Sequence, residues 1–203
     1  MTRGRVASIT GAILLAGMVF AWNAVRQERE FRRLIVAGDA ALTRDQTYEA
    51  IEAFSGALAL KRDSMLAHLK RGDSYRRRGE LTAALRDLRE AAALDPTATR
   101  ALELLGDVNV AMGRYERATE VYRRYLAIDD RAPHILYKLA VAYYRGGQIS
   151  QAVEPIRKSI ALDPGIAEAH YLLALCLKAQ KHVPEAMGSL ARALELNPAL
   201  GVA

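Results

Sequence analysis

The chain has 203 residues, of which 51% are hydrophobic, and it carries a formal net charge of +6. The excess is thinly spread: residues 1–30 hold four arginines against two glutamates, and the remainder holds 25 basic against 21 acidic side chains. Such a mixed surface lacks the basic footprint of a nucleic-acid-binding protein, so no nucleic-acid partner is expected.

The first predicted element is an apolar helix. Residues 6–25 carry no charge, and a helix of that length spans about 30 Å, the thickness of the hydrocarbon core of a bilayer. Trp22 lies near its C-terminal end, where aromatic rings favour the membrane interface. We therefore predict a membrane anchor over residues 1–30, with a transmembrane helix at about 6–25 and a juxtamembrane helix after it. The flanking basic residues are Arg3, Arg5, Arg26, Arg29, Arg32 and Arg33.

Other interpretations of this segment stay open. Residues 19–21 space small side chains as a signal-peptidase site does, so the segment could be a cleaved signal peptide. A lipoprotein is excluded because no cysteine lies near the segment. A buried helix of a soluble protein is the weakest alternative, because no other long apolar surface is free to cover it.

Two features of the segment bear on topology and assembly. The arginines after the helix favour a cytoplasmic array, whereas a short basic N-terminus before a first apolar helix favours export of the rest of the chain. We expect a single-pass protein of a bacterial inner membrane with an extracytoplasmic array. Small residues recur every four positions, a spacing that permits two such helices to pack closely. They are Gly4, Ser8, Ala12 and Ala16.

A 34-residue period organises the rest of the chain. Similar turn-and-helix segments start at residues 45, 79, 113, 147 and 181, without insertion or deletion. A period of this size marks a solenoid, in which each supersecondary unit packs on its neighbours. The units are 31–64, 65–98, 99–132, 133–166 and 167–200, followed by a tail at 201–203.

Four positions of the unit carry the packing pattern. Position 8 is small, position 20 is alanine and position 24 is bulky, so that two helices approach closely beside a side chain that fills the gap. Position 32 is proline in three units, where it ends the second helix. In unit order these residues are Gly38, Gly72, Gly106, Ala140 and Ala174; Ala50, Ala84, Ala118, Ala152 and Ala186; Phe54, Leu88, Tyr122, Ile156 and Leu190; and Pro96, Pro164 and Pro198.

This pattern resembles the tetratricopeptide repeat (TPR), a 34-residue helix–turn–helix unit with small residues at positions 8 and 20 and proline at 32. The resemblance covers residues 31–200. It implies an all-α fold, a right-handed α-solenoid of five helix–turn–helix units, here preceded by one transmembrane helix. Matching residues in two units are Leu102, Leu105, Gly106, Tyr115, Ala118 and Tyr122, and Leu136, Leu139, Ala140, Tyr143, Ala152, Ile156 and Pro164.

Several residues depart from the family pattern. Lys61 and Arg62 replace the expected Asp-Pro, so the first unit resembles a degenerate cap. Arg71 stands where a leucine is usual. Pro155 falls inside a predicted helix and is expected to bend it or delay its start, whereas Pro184 suits the first turn of the last helix.

The sequence contains no catalytic, cofactor or metal motif: no HExxH, no paired CxxC, no phosphate-binding glycine loop and no nucleophile elbow. His68 and His170 share a repeat position, which indicates packing groups. Asp39, Asp73 and Asp107 lie a full repeat apart, so solvated groove residues are favoured over a cation site. We expect no enzymatic activity and no cofactor.

Two further features indicate structural roles. Cys176, the only cysteine, forms no intramolecular disulfide, and its leucine neighbours predict a buried thiol. Arg76, Arg77 and Arg78 stand at a predicted helix end, where cations complement the helix dipole.

In the family that the chain resembles, the first helices of successive units line a concave groove that holds a peptide or a partner's helix. The C-terminal half of the groove is apolar and aromatic, with tyrosines that would anchor a bound segment. The alternative is that these tyrosines only pack between neighbouring helices. The predicted groove residues are Leu69, Asp73, Arg76, Glu103, Asp107, Tyr137, Val141, Tyr144, Arg145, Tyr171, Leu175 and Lys178, with Ile35, Asp39, Leu42 and Val110 alongside.

These observations predict a membrane-anchored scaffold or adaptor that binds a protein or peptide, with Tyr137, Tyr144 and Tyr171 as first contacts. One alternative is an accessory part of a larger enzyme or assembly complex, whose chemistry lies in another domain or partner. A second alternative is a structural homo-oligomer, formed through the small-residue ridge and the exposed face of the last helix.

Overall fold

The computed structural model describes the backbone of residues 3–201 and the side chains of residues 17–201. Over that range the chain forms ten α-helices and one short 3₁₀ turn, with no strand. The helices are α1 (Arg3–Thr43), α2 (Thr47–Leu60), α3 (Met65–Arg77), α4 (Leu81–Leu94), α5 (Thr99–Ala111), α6 (Tyr115–Leu126), α7 (Pro133–Arg145), α8 (Ile149–Leu162), α9 (Ala167–Ala179) and α10 (Val183–Leu196); the 3₁₀ turn is Pro198–Gly201.

The helices pack in chain order. Each contacts mainly the helix before it and the helix after it, so contacts between non-consecutive helices are few. Short turns join the helices, as expected for neighbours that fold back on one another. This nearest-neighbour packing is the architecture of an α-solenoid.

The tight turn inside each unit recurs as a backbone feature. Residue 15 of every unit adopts a positive φ: 58° at Asp45, 76° at Gly79, 69° at Gly113, 76° at Gly147 and 65° at Lys181. Glycine takes this conformation without strain because it has no Cβ, whereas the two exceptions carry side chains there. The 34-residue period is therefore set by where the chain must reverse as well as by side-chain size.

The small residue at position 8 packs directly on the bulky residue at position 24 of the same unit. A Cβ added to Gly106 would lie 2.3 Å from Cε1 of Tyr122, and one added to Gly38 would lie 2.4 Å from Cε1 of Phe54. Such distances are far inside van der Waals contact, so a side chain at these glycines would push the two helices apart. The predicted close crossing of two helices in each of these units is confirmed.

The alanines at position 20 are buried in all five units. Position 24 is also buried in the first four units, but Leu190 in the last unit is 37% exposed. The difference arises because, in the interior units, the following helix also covers this face.

The two prolines inside predicted helices behave differently from one another. Of the two effects expected of Pro155, a delayed helix start does not occur, because α8 begins at Ile149, the same repeat position as Leu81 in α4, and a bend stays a prediction. Packing of α8 between α7 and α9 offsets the backbone hydrogen bond that proline cannot donate. Pro184 lies in the first turn of α10, as predicted.

The N-terminal helix extends beyond the repeat core. The backbone of α1 is helical from Arg3 to Thr43, residues 17–27 are exposed, and Phe31 is the first side chain of α1 in the hydrophobic core. The structure does not describe the side chains of residues 1–16. About half of the expected transmembrane segment and the whole small-residue ridge from Gly4 to Ala16 fall in that part. In the part that is described, no helical stretch combines the length and the apolar character that a bilayer crossing requires.

Candidate partner-binding groove

The predicted groove residues lie on α3, α5, α7 and α9, the first helices of units two to five. Ten of the twelve are half-buried, and Arg145 and Lys178 are exposed. Of those named alongside, Ile35 is buried in the core between α1 and α2, and Leu42 packs against that core. The predicted groove therefore contains residues that pack within the array and residues that are exposed to solvent.

The acidic side chains of the N-terminal half hold cations of the same chain. The Lys70 ammonium lies 2.6 Å from Oδ1 of Asp39, on the neighbouring first helix. Asp73 accepts two bonds from Arg76, at 2.8 and 2.7 Å, and one from Arg77 at 3.3 Å. Their charge is thus already compensated within the chain, although the Asp39 side chain also stays 44% exposed.

The middle of the groove contains a second ion-pair network. Nζ of Lys138 in α7 lies 2.7 Å from Oε1 of Glu103 and 2.8 Å from Oδ2 of Asp107, both in α5. Arg100 adds a bond to Glu103 at 2.8 Å, and the Tyr122 hydroxyl donates to Oδ1 of Asp107 at 2.7 Å. These bonds join α5, α6 and α7 at one point.

Two pKa values reflect this network. Burial raises the pKa of Glu103, but the bonds and charges of Lys138 and Arg100 together outweigh it, so the net pKa is lowered. The pKa of the Tyr122 phenol is raised, first by burial and then by the carboxylate of Asp107. Both shifts favour the protonation states that a glutamate and a tyrosine already have at neutral pH.

Sequence reasoning missed Lys138, although a signal for it exists. Asp39 with Lys70 and Asp107 with Lys138 are both 31 residues apart, an acid at position 9 facing a lysine at position 6 of the next unit. Asp73 has Leu104 at the corresponding place and pairs within its own helix instead.

An open cleft lies beside this network, between α5 and α7. Its volume is about 320 Å³, and we call it the α5–α7 cleft. Three predicted groove residues of α7 line it, with the exposed guanidinium of Arg145 at one end. The lining residues are Asp107, Val110, Ala111, Tyr122, Tyr137, Lys138, Val141 and Arg145.

A second cleft of about 370 Å³ lies between α9 and α10, the α9–α10 cleft. The residues of α10 were not among the predicted groove residues, although an exposed face was expected on this last helix. Val183 is 53% exposed and Met187 66% exposed, while Leu85, at the position in α4 equivalent to Met187, is only 6% exposed. The lining residues are Tyr171, Ala174, Leu175, Lys178, Val183, Ala186, Met187 and Leu190.

The three tyrosines named as first contacts differ in position. Tyr137 and Tyr171 line the two clefts, whereas Tyr144 lines neither. Tyr137 and Tyr144 both pack against the core, as Leu69 does. Burial, and then the Glu168 carboxylate, raise the pKa of Tyr137. Tyr137 therefore packs against the core and also borders open space, whereas Tyr144 only packs against the core. Binding of a partner by the tyrosines stays a prediction.

Two other side chains with reactive groups, His68 and Cys176, are held within the fold. Nδ1 of His68 lies 3.3 Å from Asp87 and Nε2 lies 2.9 Å from the Arg62 carbonyl. Cys176 is buried, and burial raises the pKa of its thiol to about 11. Within the described residues, no three His, Cys, Asp or Glu side chains form a group that could hold a metal ion.

Comparison with known proteins identifies the fold family. A TPR family model, "Cilia and flagella-associated protein 70 C-terminal domain", matches residues 20–201. The comparison with curated proteins found no match.

Solved structures of TPR proteins share this fold. A crystal structure of MamA is 25% identical with a TM-score of 0.76, covering 82% of this chain and 97% of MamA. MamA from Desulfovibrio magneticus RS-1, residue 41 to the end, is 18% identical with a TM-score of 0.79, covering 84% and 96%. YrrB, "a TPR protein with an unusual peptide-binding site", is 17% identical with a TM-score of 0.76, covering 87% and 91%. Because the family model spans most of its length, the chain belongs to the tetratricopeptide-repeat family, as its small and bulky repeat positions predict.

Proposed function

We propose that this protein is a membrane-anchored TPR scaffold that holds a protein or peptide partner in the α5–α7 cleft. The observation that carries the proposal is the distribution of charge around that cleft. Asp107 and Lys138 compensate each other in the wall, while Arg145 is exposed and makes no ion pair with any described residue. Val110 and Val141 add apolar lining.

This arrangement suits a particular kind of segment. An apolar side chain in the cleft removes apolar surface from water, and a carboxylate beside it meets Arg145. Because the ion-pair network holds α5 and α7 in place, the cleft is formed before the partner arrives, which lowers the entropic cost of binding. YrrB is described as a peptide-binding TPR protein, and TPR proteins generally act as scaffolds rather than as enzymes, which supports a binding role.

Site-specific photo-crosslinking in cells tests the cleft. A photoreactive residue in place of Ala111, which lines the cleft and is exposed, is expected to capture a partner, whereas one in place of Arg124, exposed on α6, is not. Tyr137→Ala is expected to abolish capture from the Ala111 position. Tyr144→Ala is its matched control, since Tyr144 is also half-buried but does not line the cleft. Capture that survives Tyr137→Ala, with the helical spectrum unchanged, would place the binding site elsewhere.

The anchor is a separate part of the proposal. We propose that residues 6–25 cross a bacterial inner membrane and that α1 joins them to the array without a break. The full chain is expected to stay with membranes during alkaline carbonate extraction, and replacing Leu14 and Leu15 with lysine is expected to release it. A reporter enzyme fused after Ala203 reports the side of the membrane, expected to be extracytoplasmic. Release of the unmodified chain would contradict the anchor.

A homo-oligomer is the second candidate, and one observation favours it. Val183, Met187 and Leu190 form an exposed apolar surface on α10. If two copies meet there, Met187→Glu is expected to halve the mass of the protein in detergent, measured by light scattering. Glu120→Lys, on the exposed surface of α6, is the control. An unchanged mass would exclude this surface as the interface.

A further inference from the structure

The structure brings two basic segments together where α1 leaves the array. Arg26 and Arg29 lie on the exposed part of α1, and the Arg26 guanidinium lies 5.5 Å from the ring centroid of Trp22. A shallow cleft of about 500 Å³ runs along this face of the helix, lined by Trp22, Val25, Arg26, Arg29, Glu30 and Arg33.

The second segment is the loop between α2 and α3. The ammonium of Lys61 forms an ion pair with Glu28 of α1 and lies 4.5 Å from the ring centroid of Phe31. These contacts hold the loop, including the exposed Arg62, level with residues 28–31 of α1. Two parts of the chain that are about 30 residues apart thus form one surface.

The other units use this loop position differently. Asp95, Asp129, Asp163 and Asn197 each accept a hydrogen bond from the backbone N–H two residues later. Lys61 occupies the equivalent place in the first unit and cannot accept such a bond. In the first unit the loop therefore lacks the hydrogen bond that the aspartate or asparagine accepts in other units. In its place, Lys61 forms an ion pair with Glu28 of α1.

The net charge of this surface, which we call the basic collar, is positive. The collar consists of Arg26, Arg29, Arg32, Arg33, Lys61 and Arg62. Three acids lie among these residues: Glu28, which pairs with Arg32 and Lys61, Glu30, which pairs with Arg33, and Asp63. Among the described residues, Arg26, Arg29 and Arg62 have no acidic partner.

Helix geometry gives the distance between the arginines of the collar and the end of the uncharged run. If the uncharged run ends at Val25, then Arg26 to Arg29 lie about 2–6 Å further along the axis, at about 1.5 Å per residue. Lys61, which reaches Glu28, lies at the same height. These residues are within the Debye length of about 8 Å at physiological ionic strength, so salt screens their attraction to a charged lipid headgroup only in part.

We propose that the basic collar binds the headgroups of anionic phospholipids and so sets the first unit against the membrane surface. This inference rests on the proposed membrane anchor. A phosphate diester offers oxygens that accept hydrogen bonds from guanidinium groups, and clustered cations beside a membrane helix favour anionic lipid.

Trp22, the only tryptophan, provides the measurement. The full chain is reconstituted in vesicles of phosphatidylcholine and phosphatidylglycerol at equal amounts, with brominated chains on one lipid or the other. Brominated phosphatidylglycerol is expected to quench Trp22 fluorescence severalfold more than brominated phosphatidylcholine. Replacing Arg26, Arg29 and Arg62 with glutamine is expected to bring the quenching ratio to about one. As a control, Arg89, Arg123 and Arg124, which are exposed on α4 and α6, are replaced with glutamine. This variant loses the same amount of positive charge, and its quenching ratio should be unchanged.

The outcomes separate the two proposals. Equal quenching by both lipids in the unmodified chain would overturn the collar while leaving the anchor intact. An absence of quenching by either lipid would overturn the anchor itself. Inorganic phosphate at constant ionic strength is expected to leave the ratio unchanged; loss of the preference would indicate a site for free phosphate instead of a membrane contact. Helical spectra of the variants check that each is folded.

Discussion

The Arg71 guanidinium of α3 and the Asp87 carboxylate of α4 form a two-point ion pair, with Nε 2.6 Å from Oδ2 and Nη2 2.8 Å from Oδ1. Asp87 is only 3% exposed, and Arg71 also donates to the hydroxyl of Ser55 in α2. The bond to Asp87 is the main reason that the pKa of Arg71 is raised. An arginine therefore stands where a leucine is usual because a buried acid faces it.

Removing one partner of this ion pair is expected to destabilise the protein more than replacing both partners with apolar residues. Asp87→Leu leaves a half-buried guanidinium without its carboxylate and should destabilise the array by about 3 kcal/mol. Arg71→Leu with Asp87→Leu should lose less than either single variant, because no charge is left unpaired. Urea unfolding followed by circular dichroism measures both. A double variant as unstable as the sum of the singles would show that the two side chains do not act together.

Gly106→Ala is expected to destabilise the array by about 1–3 kcal/mol, because the new Cβ would lie 2.3 Å from the Tyr122 ring, which is held by its bond to Asp107. Gly188→Ala is the matched control, since nothing lies within 4 Å of its added Cβ and α10 gains helix propensity. Chemical unfolding should shift in opposite directions for the two variants. A similar effect of both would contradict the close crossing of α5 and α6.

The residue with positive φ at position 15 gives two predictions, one of increased stability and one of decreased stability. Lys181 has a φ of 65°, so Lys181→Gly is expected to stabilise the last unit by about 1 kcal/mol. Gly113, at 69°, has nothing within 4 Å of an added Cβ, so Gly113→Ala should destabilise through backbone strain alone. Thermal unfolding compares the two. Destabilisation by Lys181→Gly would show that the lysine side chain contributes more than the turn strain.

The Lys138 network predicts a dependence on acid. Because the folded state lowers the pKa of Glu103, its ionised form stabilises the array above the ordinary value near 4.5, and this contribution is lost as pH falls through the lowered pKa. Lys138→Met should therefore cost about 1 kcal/mol at pH 7 and progressively less below pH 4.5. Lys158→Met, which removes a longer and more exposed pair with Asp130, is the control and should change little. Unfolding at a series of pH values provides the test, and an equal loss at pH 7 and pH 3 would contradict it.

The packing of each unit could be predicted from the sequence because it depends on local spacing. Gly106 and Tyr122 are 16 residues apart, as are Gly38 and Phe54, so the same hairpin brings each pair into contact. Side-chain size at those positions then sets how closely the helices approach. Pro155 was less predictable, because neighbouring helices on both sides decide whether a helix tolerates a proline.

The site could be predicted only in part. Tyr137, Val141 and Arg145 line an open cleft, but Tyr144 does not, although Tyr137 and Tyr144 both pack against the core. Lys138 was missed because its two partners lie on another helix, and a sequence does not show which charges are already compensated.

By itself the sequence determined the period, the helical hairpin and the small-against-bulky contact, because all three depend on spacing within one unit of 34 residues. Only the tertiary structure decided which acids are paired, where a cleft stays open and that Lys61 contacts α1. Those features depend on distances between side chains of different helices, and packing sets these distances only once the units have stacked.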